Sequence, residues 1–364
     1  MVLVVQMIFS LAMILFGAEL FTNSIEWLGR KLGLGQGAVG SVLAAVGTAL
    51  PETAVPITAI VFSQSHQAEQ VGIGGILGAP FLLATLGSLV MACALISFRS
   101  KSTGYLLHVG KSSYQRDSVC FLVAYALAMF AGLVPTETTH QIIPLLLIGV
   151  YIVFIVLSVR DKSDRLESDE LKPLYIQRKT TTPSLTVVFV QLFIALALIV
   201  GGAHTLTGGV ERIAVRVGMP TFVLSALIIP LATELPETLN SVVWIRQGKD
   251  SLASGNITGA MVFQSTLVPA IGIWMTPWNF TSDALLTAIL TLCAALFTFL
   301  MYRFYNRLTP WMLLVSSSLY WVLPMQTMAS RYGMHRFYWI FGLLITASLL
   351  LAFISDRRAN KLRY

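Results

Sequence analysis

The sequence predicts an all-α integral membrane protein: two inverted-topology five-helix repeats with broken helices, plus one extra C-terminal span, about 11 transmembrane helices in all. Three observations lead there. The 364 residues are 56% hydrophobic and 11% charged, with a mean hydropathy of +0.77, which excludes an ordinary soluble domain. Windows of about 20 apolar residues recur along the whole chain. One acidic motif is written twice, as Gly47-Thr48-Ala49-Leu50-Pro51-Glu52-Thr53 and as Ala232-Thr233-Glu234-Leu235-Pro236-Glu237-Thr238, at an offset of 185 residues (237 − 52).

Taken in order, the apolar windows centre near Ala12, Ala45, Leu82, Ala126, Val150, Ala195, Leu227, Val262, Leu290, Ser317 and Ile345. The first, from about Val2 to Phe21, has no basic stretch ahead of it and no small-residue cleavage site before Ser24, so it reads as a retained span. Loop charge sets the orientation. With the N-terminus outside, only Arg212, Arg216, Arg331 and Arg336 of the 24 basic residues face outward, leaving 20 (24 − 4) on the cytoplasmic side. The chain then divides into residues 1–159 as a first repeat of spans 1–5, 160–183 as a cytoplasmic linker, 184–330 as a second, inverted repeat of spans 6–10, and 331–364 as the extra span with a basic cytoplasmic tail. The expected location is the inner (cytoplasmic) membrane, multi-pass, with the C-terminus inside.

The duplication extends beyond the motif. Gly17-Ala18 pairs with Gly202-Ala203, Thr22 with Thr207, Glu26 with Glu211, Lys31 with Arg216 and Gly33 with Gly218, all at the same offset. After a connection four residues shorter in the second half, Gly74-Gly75-Ile76-Leu77-Gly78-Ala79 pairs with Gly255-Asn256-Ile257-Thr258-Gly259-Ala260. Five crossings separate the first span of one repeat from that of the other, and an odd number requires opposite orientations. The expected symmetry brings Glu52 and Glu237 face to face near the bilayer centre, as in membrane proteins with inverted repeats and a midplane site.

The motif itself is suited to hard cations. A carboxylate at membrane depth costs roughly 3 kcal/mol on insertion scales, so Glu52 and Glu237 mark a functional site. Pro51 and Pro236 have no N–H, which deprives the carbonyls of Gly47 and Ala232 of their helical donors. In hydrocarbon such carbonyls must be satisfied by protein, water or an ion. Thr48 and Thr233 add hydroxyls, and the resulting oxygen set favours Na⁺, Ca²⁺ or Mg²⁺ over soft metals. Glu234, three residues before Glu237, is expected on the same helical face, adding a third carboxylate to the metal-binding group Glu52, Glu237 and Glu234.

At these residues the chain resembles the sodium/calcium exchanger family of cation antiporters. Members carry Gly-Thr-Ser-x-Pro-Glu in the second span of each half and Gly-Ser-Asn-x-x-Asn or Gly-Ser-Asn-x-x-Asp in the third. The resemblance covers roughly residues 12–90 and 197–270. It implies alternating access, Ca²⁺ exchanged for Na⁺ as the favoured pair with H⁺ as the alternative driver, and cation ligands at Glu52 and Glu237 with Thr48 and Thr233 beside them. The departures fall at the family serine, which is Ala49 in one copy and Glu234 in the other, and in the third spans. There the serine positions are Ala79 and Ala260, and the Asn/Asp positions are Leu83 and Gln264. Gln264 keeps an oxygen; alanine and leucine do not, which weakens the case for a full set of sodium sites. Three carboxylates sharing one cavity would also trade protons for a divalent ion.

The remaining features need no special chemistry. Cys93, Cys120 and Cys293 sit in apolar runs at unrelated spacings and read as small buried hydrophobes. Trp274, Trp278, Trp311 and Trp339 read as interface or lipid-facing residues. The glycines at 74, 75, 78, 255 and 259 suit close helix packing. Glu19 and His204, equivalent in the repeat, read as interfacial. Asn240 is either a further ligand or bonded to a helix backbone. Asn256-Ile257-Thr258 matches a glycosylation sequon but begins an apolar span on the cytoplasmic side. The net charge of +7 resides in short loops, so the expected partners are the bilayer and inorganic cations and not nucleic acid. Oligomeric state stays open, a monomer included. No cofactor is called for, and the ions are cargo. A non-transporting or channel-like membrane protein of the same fold is the further alternative, although a channel would normally build its pore around filter loops and none is apparent; an intramembrane metallohydrolase would need a His-Glu-x-x-His that the sequence lacks, and the chain reads as no enzyme.

Overall fold

The computed structural model describes residues 2–31, 50–62, 65–99, 105–160, 172–178, 183–332 and 342. Among them every regular element is helical. Seven helices are long and apolar enough to cross a membrane, and up to eight if one bent pair counts as a single span. The chain runs α1 (Val2–Lys31), α2 (Leu50–Phe62), α3 (His66–Leu82), α4 (Ser88–Phe98), α5 (Lys111–Leu133), α6 (Glu137–Arg160), α7 (Leu185–Val217), α8 (Thr221–Thr233), α9 (Leu235–Gln247), α10 (Asp250–Met275), α11 (Ser282–Tyr305), α12 (Pro310–Ser318) and α13 (Val322–Tyr332). A π turn at Leu83–Gly87 links α3 to α4, so that His66–Phe98 is one continuous 33-residue apolar span. The centre of the expected second span, Ala45, and the expected eleventh, around Ile345, apart from Gly342, lie outside the described residues.

The boundaries follow from local chemistry. Ser184 caps α7 by accepting the Val187 N–H at 3.4 Å, and Thr281 caps α11 by accepting the Ala284 N–H at 3.2 Å. Gly218 (φ +66°) and Gly248 (φ +80°) end α7 and α9 in the left-handed conformation that glycine enters without a Cβ clash. The helices that carry the two motif glutamates, α2 and α9, end in the repeat relationship, at Phe62 and Gln247 (247 − 62 = 185).

Two compact units form, each drawing on both halves of the sequence: residues 1–75 with 162–225, and residues 76–161 with 226–364. In the first, α1 packs along α7. Gln191 meets Leu20 and Ser24, Ile199 meets Gly17, and Gly209 meets Met7, so the two repeat-equivalent helices run antiparallel. Their closest approach is at equivalent glycines. A Cβ on Gly17 would lie 2.9 Å from Ile199 Cγ1, and one on Gly202 2.8 Å from the Ser10 carbonyl. At one end of this pair, buried Asn23, Trp27 and Gln191 hold the segment 172–178 by its backbone. Gln191 Oε1 accepts from Ile176 N at 3.0 Å, Asn23 Oδ1 from Tyr175 N at 3.3 Å, and the Lys172 carbonyl from Trp27 Nε1 at 3.0 Å.

In the second unit α10 is central, packing on α5, α6 and α9, while α4 lies against α9 and α12. Ser316 of α12 donates to the carbonyls of Ala84 (3.2 Å) and Ala294 (3.0 Å), tying α12 to the π turn and to α11. Three side-chain expectations change. Trp278 is no interface residue: it is fully buried, donates from Nε1 to the Ala128 carbonyl at 3.0 Å and covers Gly272. Cys93 and Cys293 are exposed and Cys120 half-buried, because each falls on an outward helix face and not in the core. Glycine packing holds at Gly74, Gly75 and Gly78, where an added Cβ would meet Ser225 Oγ at 2.0 Å, Pro56 Cγ at 2.9 Å and the Ala226 carbonyl at 2.4 Å. It does not hold at Gly255 or Gly259, which have open space beside them.

Candidate cation site

The seventh span breaks at the second copy of the motif. α8 ends at Thr233, Glu234 stands between the helices, and α9 starts at Leu235 with Pro236 as its second residue. Proline is tolerated in a first helical turn, where its missing N–H had no partner to lose. The two helices are bent by 46°, a kink whose cause is the proline. The break fixes what Ala232 can do: its carbonyl lies in the last turn of α8, and the residue four positions on is Pro236, so no helical N–H reaches it.

Glu234 stands at the bend between the two helices, with φ −88° and ψ −5° still in the right-handed helical region; its N–H donates to the Pro230 carbonyl at 2.8 Å and its own carbonyl accepts from Thr238 N at 3.1 Å. One of its carboxylate oxygens lies within 4.8 Å of one of Glu237, so the two are brought together as the spacing of three implies. Glu237 falls in the first turn of α9, where a carboxylate is favoured by the positive end of the helix dipole. Both are buried, Glu234 at 0% and Glu237 at 7% exposed, in a span with no compensating lysine or arginine of its own at that depth. Gln264 of α10, 1% exposed, donates from Nε2 to Glu234 Oε1 at 2.7 Å. Glu237 Oε2 is buried with no hydrogen-bond partner among the described residues. Thr233 is buried with its hydroxyl donating to the Ile229 carbonyl at 3.2 Å, which leaves the oxygen lone pairs as acceptors for an ion.

In the first copy the described residues start at Leu50, so Gly47 and Thr48 lie outside them. Glu52 is in the first turn of α2, 3% exposed, the same helical position that Glu237 holds in α9. Of the remaining sequence candidates, Asn240 is exposed and takes no part, as are Glu19 and His204. Glu19 accepts the hydroxyl proton of Tyr175 in a short hydrogen bond.

Sequence reading missed the residues that hold the acidic turn. Asn256 Nδ2 and Ser241 Oγ both donate to the Glu237 carbonyl at 3.0 Å. It also missed buried Asp117 in α5, which takes the Thr258 hydroxyl at 2.7 Å and Arg116 Nε at 2.9 Å, beside a small cavity of about 30 Å³ lined by Tyr114, Ser118 and Thr298. The one signal for Asn256 was its place opposite Gly75 in the repeat; Asp117 had none beyond a carboxylate near the start of an apolar run.

A sequence model of the family described as sodium/calcium exchanger protein matches residues 2–160 and 187–325. The chain belongs to the sodium/calcium exchanger family. Among curated relatives of this family member, a putative antiporter, CaxA of Alkalimonas amylolytica, is 26% identical over 268 residues, 73% of this chain and 79% of that protein. The inner membrane protein YrbG of Escherichia coli K12 is 21% identical over 273 residues, 74% and 79% of the two. Among solved structures, the H⁺/Ca²⁺ exchanger CAX superposes with a TM-score of 0.69 at 19% identity, covering 99% of this chain and 91% of that one. The sodium-calcium exchanger NCX_Mj superposes at 0.53 and 19% identity, covering 88% and 96%. At these identities the structural likeness speaks for the fold of this sodium/calcium exchanger family member.

Proposed function

We propose that the protein is a secondary active cation antiporter that exchanges Ca²⁺, or another divalent cation, for Na⁺ by alternating access at a midplane carboxylate site. The observation that carries this reading is the pair Glu234 and Glu237, buried at a helix break inside an apolar span, with no hydrogen-bond donor to Glu237 Oε2 among the described residues. An ionised carboxylate left that way in low dielectric is costly unless a cation completes it. Family membership and the antiporter and exchanger relatives support the reading. The symmetry of the sequence repeat assigns Glu52 to the same site, with Thr48, Thr233 and the carbonyls of Gly47 and Ala232 as further oxygen ligands. Ion occupancy would neutralise the carboxylates and lower the cost of carrying the site past the hydrophobic barrier, which ties switching to loading.

A second reading takes H⁺ as the counter-ion. It is favoured by side chains that cannot coordinate Na⁺, since Ala79 and Leu83, at family ligand positions, are buried hydrocarbon, and by Glu234 adding a carboxylate where the family has serine. Radiolabelled Ca²⁺ uptake into proteoliposomes, driven first by a Na⁺ and then by an H⁺ gradient, tests both. Flux with either gradient, lost in Glu52→Gln and in Glu237→Gln, is the expected outcome. Absence of gradient-driven flux of any divalent ion, or unchanged flux in both variants, would remove the proposal.

A further inference from the structure

We infer that Asn256 and Ser241 are positioning residues for Glu237: they grip the first turn of α9 by its backbone and so fix where the carboxylate is presented. The inference rests on the antiport reading above. Glu237 stands just past a 46° bend, where a helix end without a hold is free to pivot. Its carbonyl is unusually well occupied. Besides lying four residues ahead of the Ser241 N–H, it receives Asn256 Nδ2 from α10 and Ser241 Oγ from its own helix, each at 3.0 Å. Asn256 Nδ2 is also 3.4 Å from Ser241 Oγ, and Ser241 Oγ lies 3.2 Å from the Ala253 carbonyl, so the three groups interlock α9 with α10. Ser241 is fully buried and Asn256 half-buried.

The same helix that holds Glu237 by its backbone holds Glu234 by its side chain. Eight residues separate Asn256 from Gln264, a little over two turns, which places them roughly 80° apart on one side of α10. α10 therefore sets both acidic residues of the motif relative to one another.

The repeat supplies independent support. Ser241 corresponds to Pro56 (241 − 185) and Asn256 to Gly75. In the first half this position is a steric contact, with a Cβ on Gly75 falling 2.9 Å from Pro56 Cγ. In the second half the equivalent position is a hydrogen-bonded pair. Pro56 has no N–H to give the Glu52 carbonyl, whereas the Glu237 carbonyl collects two side-chain donors. The second copy of the motif is thus built to keep its turn in place by directed bonds.

The test compares wild type with Asn256→Ala, Asn256→Asp, Asn256→Gln, Ser241→Ala and the Asn256→Ala/Ser241→Ala double variant, in two measurements. In proteoliposome uptake, the half-saturating Ca²⁺ concentration should rise about five-fold in Asn256→Ala, the size of one lost hydrogen bond, with the maximal rate retained. Asn256→Asp, nearly isosteric but without the amide donor, should behave like the alanine variant, Asn256→Gln should recover part of the loss, and the double variant should exceed either single one. A lowered maximal rate at unchanged half-saturation would mean that these residues only support packing, and would overturn the inference. Amide hydrogen exchange of Thr238 to Ser241, which needs no transport, should accelerate in Asn256→Ala; unchanged exchange would also overturn it. If wild type moves no cation, the antiport reading fails while exchange still decides whether the grip exists.

Discussion

Gln264 and Glu234, thirty residues apart in the sequence, meet in the buried interior of the second unit, the amide nitrogen 2.7 Å from the carboxylate. A donor aimed at a carboxylate satisfies one of its oxygens and holds it in one orientation. The family position now occupied by glutamine thus keeps a polar role, although its partner is a residue that the usual motif lacks.

Gln264→Leu should lower unfolding stability in detergent by about 1–3 kcal/mol, because Glu234 loses that donor while staying buried. Pairing it with Glu234→Leu should recover much of the loss, since removing both partners leaves no buried charge behind. Thermal melting of the two single variants and the double variant measures the coupling, and additive effects would show that the bond contributes nothing of its own.

Helix packing gives a second contrast. Gly78→Ala forces a methyl group to within 2.4 Å of the Ala226 carbonyl, backbone that cannot rotate away, so it should destabilise by about 1–3 kcal/mol. Gly259→Ala meets open space in mid-helix and should instead stabilise, by up to about 1 kcal/mol. Equal melting temperatures for the two variants would contradict this packing.

Asp250, 3% exposed at the start of α10, is paired with Arg99 and accepts the His108 backbone N–H at 3.1 Å. Removing the cation alone strands a buried charge. Arg99→Met should cost about 3 kcal/mol or more, and Arg99→Lys clearly less. Denaturation of both variants checks the order, and a Met variant as stable as wild type would refute it.

The segment 172–178 should be released by small changes. The Glu19 carboxylate that accepts the Tyr175 hydroxyl pushes this phenol up to about 12, with partial burial adding to the rise. A raised value means that the contact is complete below the ordinary tyrosine value near 10 and is lost as pH climbs through about 12. Tryptic cleavage after Arg178 should therefore stay slow and constant from about pH 7 to 9 in wild type and quicken in Gln191→Leu, which removes the bond to Ile176 N. Cleavage at the wild-type rate in that variant would show that the segment is held by other means.

Much of this architecture was legible because the proline and glutamate of the motif act locally. Pro236 breaks the helical hydrogen-bond ladder wherever it stands, so the expected broken helix is found there, with Pro236 and Glu237 in the first turn of α9. The rest depends on neighbours far away in the chain. Helices that are apolar all round carry little periodicity to say which face is inward, so the outward placement of Cys93 could not be read off. Trp278 lies in the connection after α10, where its burial against Ala128 follows from a contact 150 residues away that no local pattern announces. The spacing of three places Glu234 beside Glu237, and the structure brings them together, but the bend at that position leaves no mark in sequence. Asn256 matches only a sequon, discounted on its position, because its real partner, a carbonyl oxygen, carries no sequence signal.

The π turn at Leu83–Gly87 has a consequence for anyone tracing relatives onto this chain. One surplus residue in a helix rotates everything after it by about 100°. Positions beyond Gly87 in α4 therefore present different sides from those that gapless counting along an unbroken α-helix assigns, and a correspondence drawn through this span holds side chain for side chain only where the relative carries the same turn.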